Sequence, residues 1–144
     1  MTDYKKLERL LDVRRHNEQR CAVDLALARE AVRDSEAALE RMQRQRAELE
    51  AELEGTEGAV GQMKTLRLLM DQVDQGIHNA RSVRALAAAT EAERRAALEK
   101  AAQDRELLEK VVQPRKERAR ADARMREQKA VDDLNQRRFL MGEG

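Results

Sequence analysis

The sequence is almost without aromatic side chains: one tyrosine, Tyr4, one phenylalanine, Phe139, and no tryptophan in 144 residues. Large rings supply much of the buried area of a compact core, so their scarcity argues against an ordinary globular domain of this length. Proline occurs once, at Pro114, and cysteine once, at Cys21. A single cysteine excludes an intramolecular disulfide and leaves no cysteine cluster for a metal. No apolar run approaches the roughly 20 residues that span a bilayer. The stretch Met1–Lys6 is followed by no apolar h-region, so no signal peptide is visible. The expectation is a cytoplasmic protein without direct membrane insertion.

What is present is charge and helix formers. Charged residues make up 40% of the chain with a net charge of only +1, and the apolar 41% is mostly Ala, Leu and Val. That composition, carried on a sustained helical period, is the signature of a coiled coil or long helix. Its near-neutral balance argues against disorder. Three of the six glycines fall in one stretch, Gly55, Gly58 and Gly61. Each costs a helix about 1 kcal/mol relative to alanine, so the stretch predicts a break between two helices that fold back on one another.

Before the break, a strict 3-4 spacing runs through Tyr4, Leu7, Leu11, Arg14, Glu18, Cys21, Leu25, Ala28, Val32, Ser35, Leu39, Met42, Arg46, Leu49 and Leu53. Most of these positions are apolar and those between are mostly charged or alanine, the pattern of a coiled-coil seam. Asp3 or Thr2 is placed to cap the start. Arg14 and Glu18 are polar seam positions, readable as register-setting residues or as contacts with a partner. After the break the stripe resumes at Leu66, Met70, Val73, Ile77 and Ala80, then Ala87, Leu98, Ala101, Leu108 and Val112, interrupted by Arg84, Glu91, Arg94 and Arg105. This second seam is richer in alanine and buries less area per residue.

The predicted fold is all-α: a long two-helix antiparallel coiled-coil hairpin forming a single domain over 1–144. Helix 1 spans about 3–54, the hinge 55–62, a longer helix 2 about 63–139, and the tail 140–144. Pro114 removes a backbone donor and crowds the preceding turn, so helix 2 is expected to kink or weaken there. Counting from a turn centred near residue 58 places Leu53 beside Met63 and Tyr4 beside Val112. The last 25 or so residues then overhang unpaired, with Met125, Val131, Leu134, Phe139 and Leu140 as their apolar side chains. A lone helix of that length is marginal in water unless a partner covers it.

Charge is distributed unevenly. Residues 34–57 hold eight acidic and three basic side chains, and residues 115–130 hold seven basic and three acidic. The separation is readable as plain solvated faces or as a field that orients docking. The basic end lacks the interleaved aromatics that stack single-stranded bases and any helix-turn-helix or zinc pattern, so nucleic acid is not an expected partner. Cys21 falls on the seam, where burial is expected. His16 and His78 are far apart, and Asp74 with His78 reads as a helix-surface pair. There is no P-loop, nucleophile elbow or dinucleotide turn, and a two-helix hairpin offers no enclosing pocket. The reading is not an enzyme, with no cofactor and no metal site.

The opening Leu7-Glu8-Arg9-Leu10-Leu11-Asp12-Val13-Arg14-Arg15-His16-Asn17-Glu18-Gln19-Arg20-Cys21-Ala22 resembles the N-terminal pattern of the FliJ/YscO/HrpO family of type III secretion stalk proteins, flagellar and virulence-associated. The closing Arg124-Met125-Arg126-Glu127-Gln128-Lys129-Ala130-Val131-Asp132-Asp133-Leu134-Asn135-Gln136-Arg137-Arg138-Phe139 is similar to that family's charged C-terminal segment. The resemblance covers the whole chain, and the opening residues lean towards the virulence branch. It implies a hairpin whose end bearing the termini enters the central hole of a hexameric export ATPase, placing the protein peripherally at the cytoplasmic face of the inner membrane. On this sequence the implied ATPase-binding residues are Arg14, Arg15, Arg118, Arg120, Arg124, Arg126 and Lys129. It also implies contact with the export-gate membrane protein through an apolar stripe early in helix 2, matched here by Leu66, Met70, Val73 and Ile77. The match lacks the stripe's first aromatic and its final histidine, since His78 stands one residue late, and the same four residues continue the intramolecular seam. Some relatives also escort export chaperones. The alternative is a generic cytoplasmic coiled-coil adaptor or chaperone acting as a homodimer.

Overall fold

The computed structural model describes residues 3–56 and 60–142. Two long helices account for nearly all of them: α1, Asp3–Glu54, and α2, Val60–Leu140. They pack against one another and no strand occurs among the described residues. Asp3 is already helical, and Thr2, the other cap candidate, lies outside the described residues.

Helix α1 ends where glycine makes continuation costly. The Gly55 amide still donates to the Ala51 carbonyl at 3.1 Å, and the Thr56 amide turns back to Leu53 at 3.3 Å. The Thr56 hydroxyl donates to the Glu52 carbonyl at 2.6 Å, giving one terminal acceptor a partner. Glu57, Gly58 and Ala59 lie outside the described residues. Helix α2 begins at Val60, three residues before the predicted start, so Gly61 belongs to its first turn and not to the hinge. One glycine costs a helix of 81 residues little.

The heptad reading of α1 is met at every position: each of the stripe residues from Tyr4 to Leu53 is buried or half-buried. On α2 the stripe is buried or half-buried except at Arg84 and Arg94, which are exposed. Contacts divide the chain into two units, Gln19–Lys100 and Met1–Glu18 with Ala101–Gly144.

In the Gln19–Lys100 unit, Leu25, Ala28 and Leu39 of α1 are buried, as are Leu66 and Ile77 of α2. Buried Ser35 is satisfied locally, its hydroxyl donating to the Val32 carbonyl at 2.7 Å. Antiparallel pairing is marked by Arg46 with Asp74 at 2.5 Å, Glu36 with Arg84 at 3.4 Å and Arg29 with Glu91 at 3.7 Å. Met42 packs beside Gly76, its Sδ 3.5 Å from where a side chain there would begin, an ordinary van der Waals contact. From Glu93 to Ala97, in the alanine-rich stretch, every residue is exposed.

The other unit is built on Leu11, Ala101 and Val112. Arg105 Nε and Nη2 reach the two carboxylate oxygens of Glu18, and Nη1 donates to Glu109 at 2.9 Å. Arg14 pairs with Asp104 at 3.7 Å, Arg15 with Glu109 at 3.2 Å and Lys116 with Glu8 at 2.8 Å. Tyr4 shares a groove with Arg115, Arg118, Ala119 and Asp122, beyond the Val112 that counting from the turn suggests. Helical side chains lean towards their own N-terminus, so in an antiparallel pair the contacting residue lies further along α2 than Cα counting places it. Helix α2 runs unbroken through Pro114. It closes at Gly142 in the left-handed conformation, φ 74°, with the Met141 amide donating to Arg137 and the Gly142 amide to Phe139.

Candidate functional site

The terminal part of α2 is a long stretch that the described residues leave uncovered. From Arg124 to Gly142 every residue is exposed. Phe139 and Leu140 are each 78% exposed, and Met125, Val131 and Leu134 are also open to solvent. Basic residues are interleaved with them: Arg124, Arg126, Lys129, Arg137 and Arg138. An apolar set edged by cations suits a partner groove that is itself apolar with acidic margins.

The seven basic candidates do not form one cluster. Arg14 and Arg15 are occupied within the chain, by Asp104 and by Asp12 and Glu109 respectively, although both keep a large exposed fraction. Arg118 borders the groove with Tyr4. Arg120 is exposed and lies near enough to Glu8 to favour its charged form. Arg124 and Lys129 are exposed, and Arg126 Nε donates to the Asp122 carbonyl at 3.4 Å. The Lys116 hydrogen bond holds the Glu8 carboxyl below its ordinary value, with the charges of Lys116, Arg120 and Arg15 adding to the effect.

The gate candidates face the seam. Leu66 and Ile77 are each 6% exposed, and Met70 and Val73 are half-buried. The apolar side chains that this stretch of α2 presents outward are Leu68 and Leu69. Elsewhere Cys21 is half-buried where burial was expected, because the seam is only two helices deep. Asp74 is taken by Arg46, so it does not serve His78.

Sequence reasoning missed the cross-helix ion pairs and the apolar groove of about 270 Å³ lined by Leu10, Arg14, Asp104, Leu107, Leu108 and Val111. The available signal was position: Leu10 and Val111 flank the stripe directly, one residue before Leu11 and Val112. Among the described residues no three His, Cys, Asp or Glu side chains come together as a metal site. No helix among them is long and apolar enough to cross a membrane.

A family model described as Flagellar FliJ protein matches residues 4–144. The chain belongs to the FliJ family. That membership makes it a component of the flagellar or type III export apparatus. The matched description is the flagellar one, not the virulence branch expected from the opening residues. No curated protein and no solved structure matches the chain significantly.

Proposed function

We propose that this FliJ-family chain is the central stalk that couples a hexameric export ATPase to the membrane export gate. The observation that carries the reading is the exposed, cation-edged segment from Arg124 to Leu140, which α1 does not cover. A helix with exposed Phe139, Leu140 and Leu134 gains most when inserted into a partner. Arg118, Arg120, Arg124, Arg126 and Lys129 line the approach to the ring, while Arg14 and Arg15, held by Asp104 and Glu109, stand apart from them. A component working at the gate sits peripherally at the cytoplasmic face of the inner membrane.

Gate contact falls on the Gln19–Lys100 unit, along α2 from Leu66 to Ile77. Leu68 and Leu69 supply the accessible surface, Met70 and Val73 its edge, and Leu66 with Ile77 the support beneath. Escort of export chaperones is compatible with the same exposed helix faces. The role asks for positioning and not bond chemistry, in keeping with a non-enzymatic part of the apparatus.

The test is co-purification with the export ATPase, and stimulation of its turnover, with the full chain and with residues 115–144 deleted. The full chain is expected to bind and stimulate, and the truncated chain to lose both. Equal binding and stimulation by the truncated chain would overturn terminal insertion.

A further inference from the structure

Within the Gln19–Lys100 unit the two flanks of the seam differ. One carries the ion pairs Glu36–Arg84 and Arg29–Glu91. The other carries an apolar groove of about 320 Å³ between the helices, lined by Ser35, Ala38, Met42, Gly76, Asn79 and Val83. Small residues bring both backbones near the surface here, and Val83 stands 56% exposed at the groove's edge. Asp34 and Arg41 flank Ala38 on α1, both are exposed, and among the described residues neither has an ion-pair partner.

We infer that this flank is a twofold interface with a second copy of the same chain. An isologous contact requires a patch complementary to itself under a half-turn, and two independent features meet that condition. On α1, Asp34 and Arg41 are centred on the Ala37–Ala38 peptide. A twofold axis there sets Asp34 of each copy against Arg41 of the other, twice. On α2, Gly76 and Val83 are centred on the Asn79–Ala80 peptide. An axis there sets Val83 of each copy into the notch left by Gly76 of the other.

The two axes coincide to within about one residue along the helices. Met42 lies against Gly76, and one turn further along each antiparallel helix Ala38 is level with Ala80, the neighbour of Asn79. Charge complementarity on α1 and size complementarity on α2 thus select the same line through the same groove. The occupant they select is this chain itself. A helix of different sequence has no reason to match both. The interface uses neither the terminal segment nor the Leu66–Ile77 stretch proposed for other partners, apart from Gly76.

Sedimentation equilibrium on the full chain tests this. The unaltered chain is expected to dimerise reversibly at tens of micromolar. Asp34→Arg and Arg41→Asp each place like charges across the axis twice and are expected to weaken dimerisation about tenfold or more. Mixed in equal amounts, the two variants present only opposite charges to each other and are expected to dimerise as the unaltered chain does. Gly76→Leu fills the notch and is expected to give a monomer that still unfolds cooperatively, since a Cβ at that position makes only ordinary contact with Met42. A monomeric unaltered chain, single reversals that dimerise unchanged, or a mixture that stays monomeric would each overturn the inference.

Discussion

Arg105 of α2 reaches both carboxylate oxygens of Glu18 on α1, and each is a polar member of its own largely apolar stripe. These two interruptions of the seam therefore meet each other. Arg105 is 23% and Glu18 25% exposed at the side chain, so neither is stranded away from water. A register slipped by one heptad in either direction would set each charge against an apolar neighbour, which is how a polar seam residue selects one alignment.

Replacing either member alone is expected to lower the thermal midpoint, with the loss from the double replacement smaller than the sum of the singles. Arg105→Leu with Glu18→Leu restores an apolar pair and is expected to recover stability while loosening register. Thermal unfolding of the four chains reads the first effect. Disulfide trapping between introduced cysteines at Leu11 and Leu108 reads the second, as trapping at neighbouring positions in addition to the native pair.

Glu8 gives the Met1–Glu18 with Ala101–Gly144 unit an acid-sensitive contact. Its folded-state value is depressed from the ordinary 4.5 by the Lys116 hydrogen bond. A depressed carboxyl contributes stability that is present above the unfolded value and is lost as pH falls through the folded one. The difference in midpoint between the unaltered chain and Glu8→Gln is expected to be constant at neutral pH, to decline once pH falls to about 4.5 and to vanish below the depressed folded-state value. A difference that grew on acidification would contradict the assignment. Because the pair is only half-buried, 1 M salt is expected to shrink it as well.

Two helical glycines are open to stabilisation. A Cβ at Gly61 meets nothing within 4 Å, and at Gly76 the nearest atom is Met42 Sδ at 3.5 Å. Gly61→Ala and Gly76→Ala are each expected to raise stability by about 0.5–1 kcal/mol, the helix-propensity difference. Chemical denaturation measures it. Gly142 is the contrasting case, since its φ of 74° leaves any side chain strained.

Stability and partner binding are expected to separate at the end of α2. Phe139→Ser and Leu140→Ser alter side chains that are 78% exposed. Their effect on unfolding is expected to stay within about 0.5 kcal/mol, the usual range for surface changes. Their effect on ATPase co-purification is expected to be a loss of about tenfold or more, as for exposed anchors that are buried on binding. Parallel losses in both measurements would mark these residues as part of the fold.

Much of the fold was legible from period alone. Fifteen stripe positions on α1 were assigned by a 3-4 count, and the structure turns every one of them inward. A heptad states which face is buried, because that follows from residues per turn. It does not state what stands opposite, because that depends on the turn and on side-chain lean, and Tyr4 accordingly pairs beyond Val112. The same limit applies to the candidate sites. Leu66 and Ile77 met both the seam spacing and the spacing of the family's gate stripe, and spacing cannot separate two roles that share one face. The intramolecular partners of Arg14 and Arg15 were not legible because Asp104 and Glu109 lie some ninety residues away in the chain.

The left-handed Gly142 ends α2 beyond a stretch that nothing in the chain covers. Its consequence is entropic. Fixing the backbone of a disordered segment costs about 1–2 kcal/mol per residue, and a segment that folds only on docking meets that cost at the moment of binding. A stretch already helical to its capped last turn has met it in advance. Its partner then needs to supply only side-chain contacts, so short-lived engagement and release become possible without losing specificity.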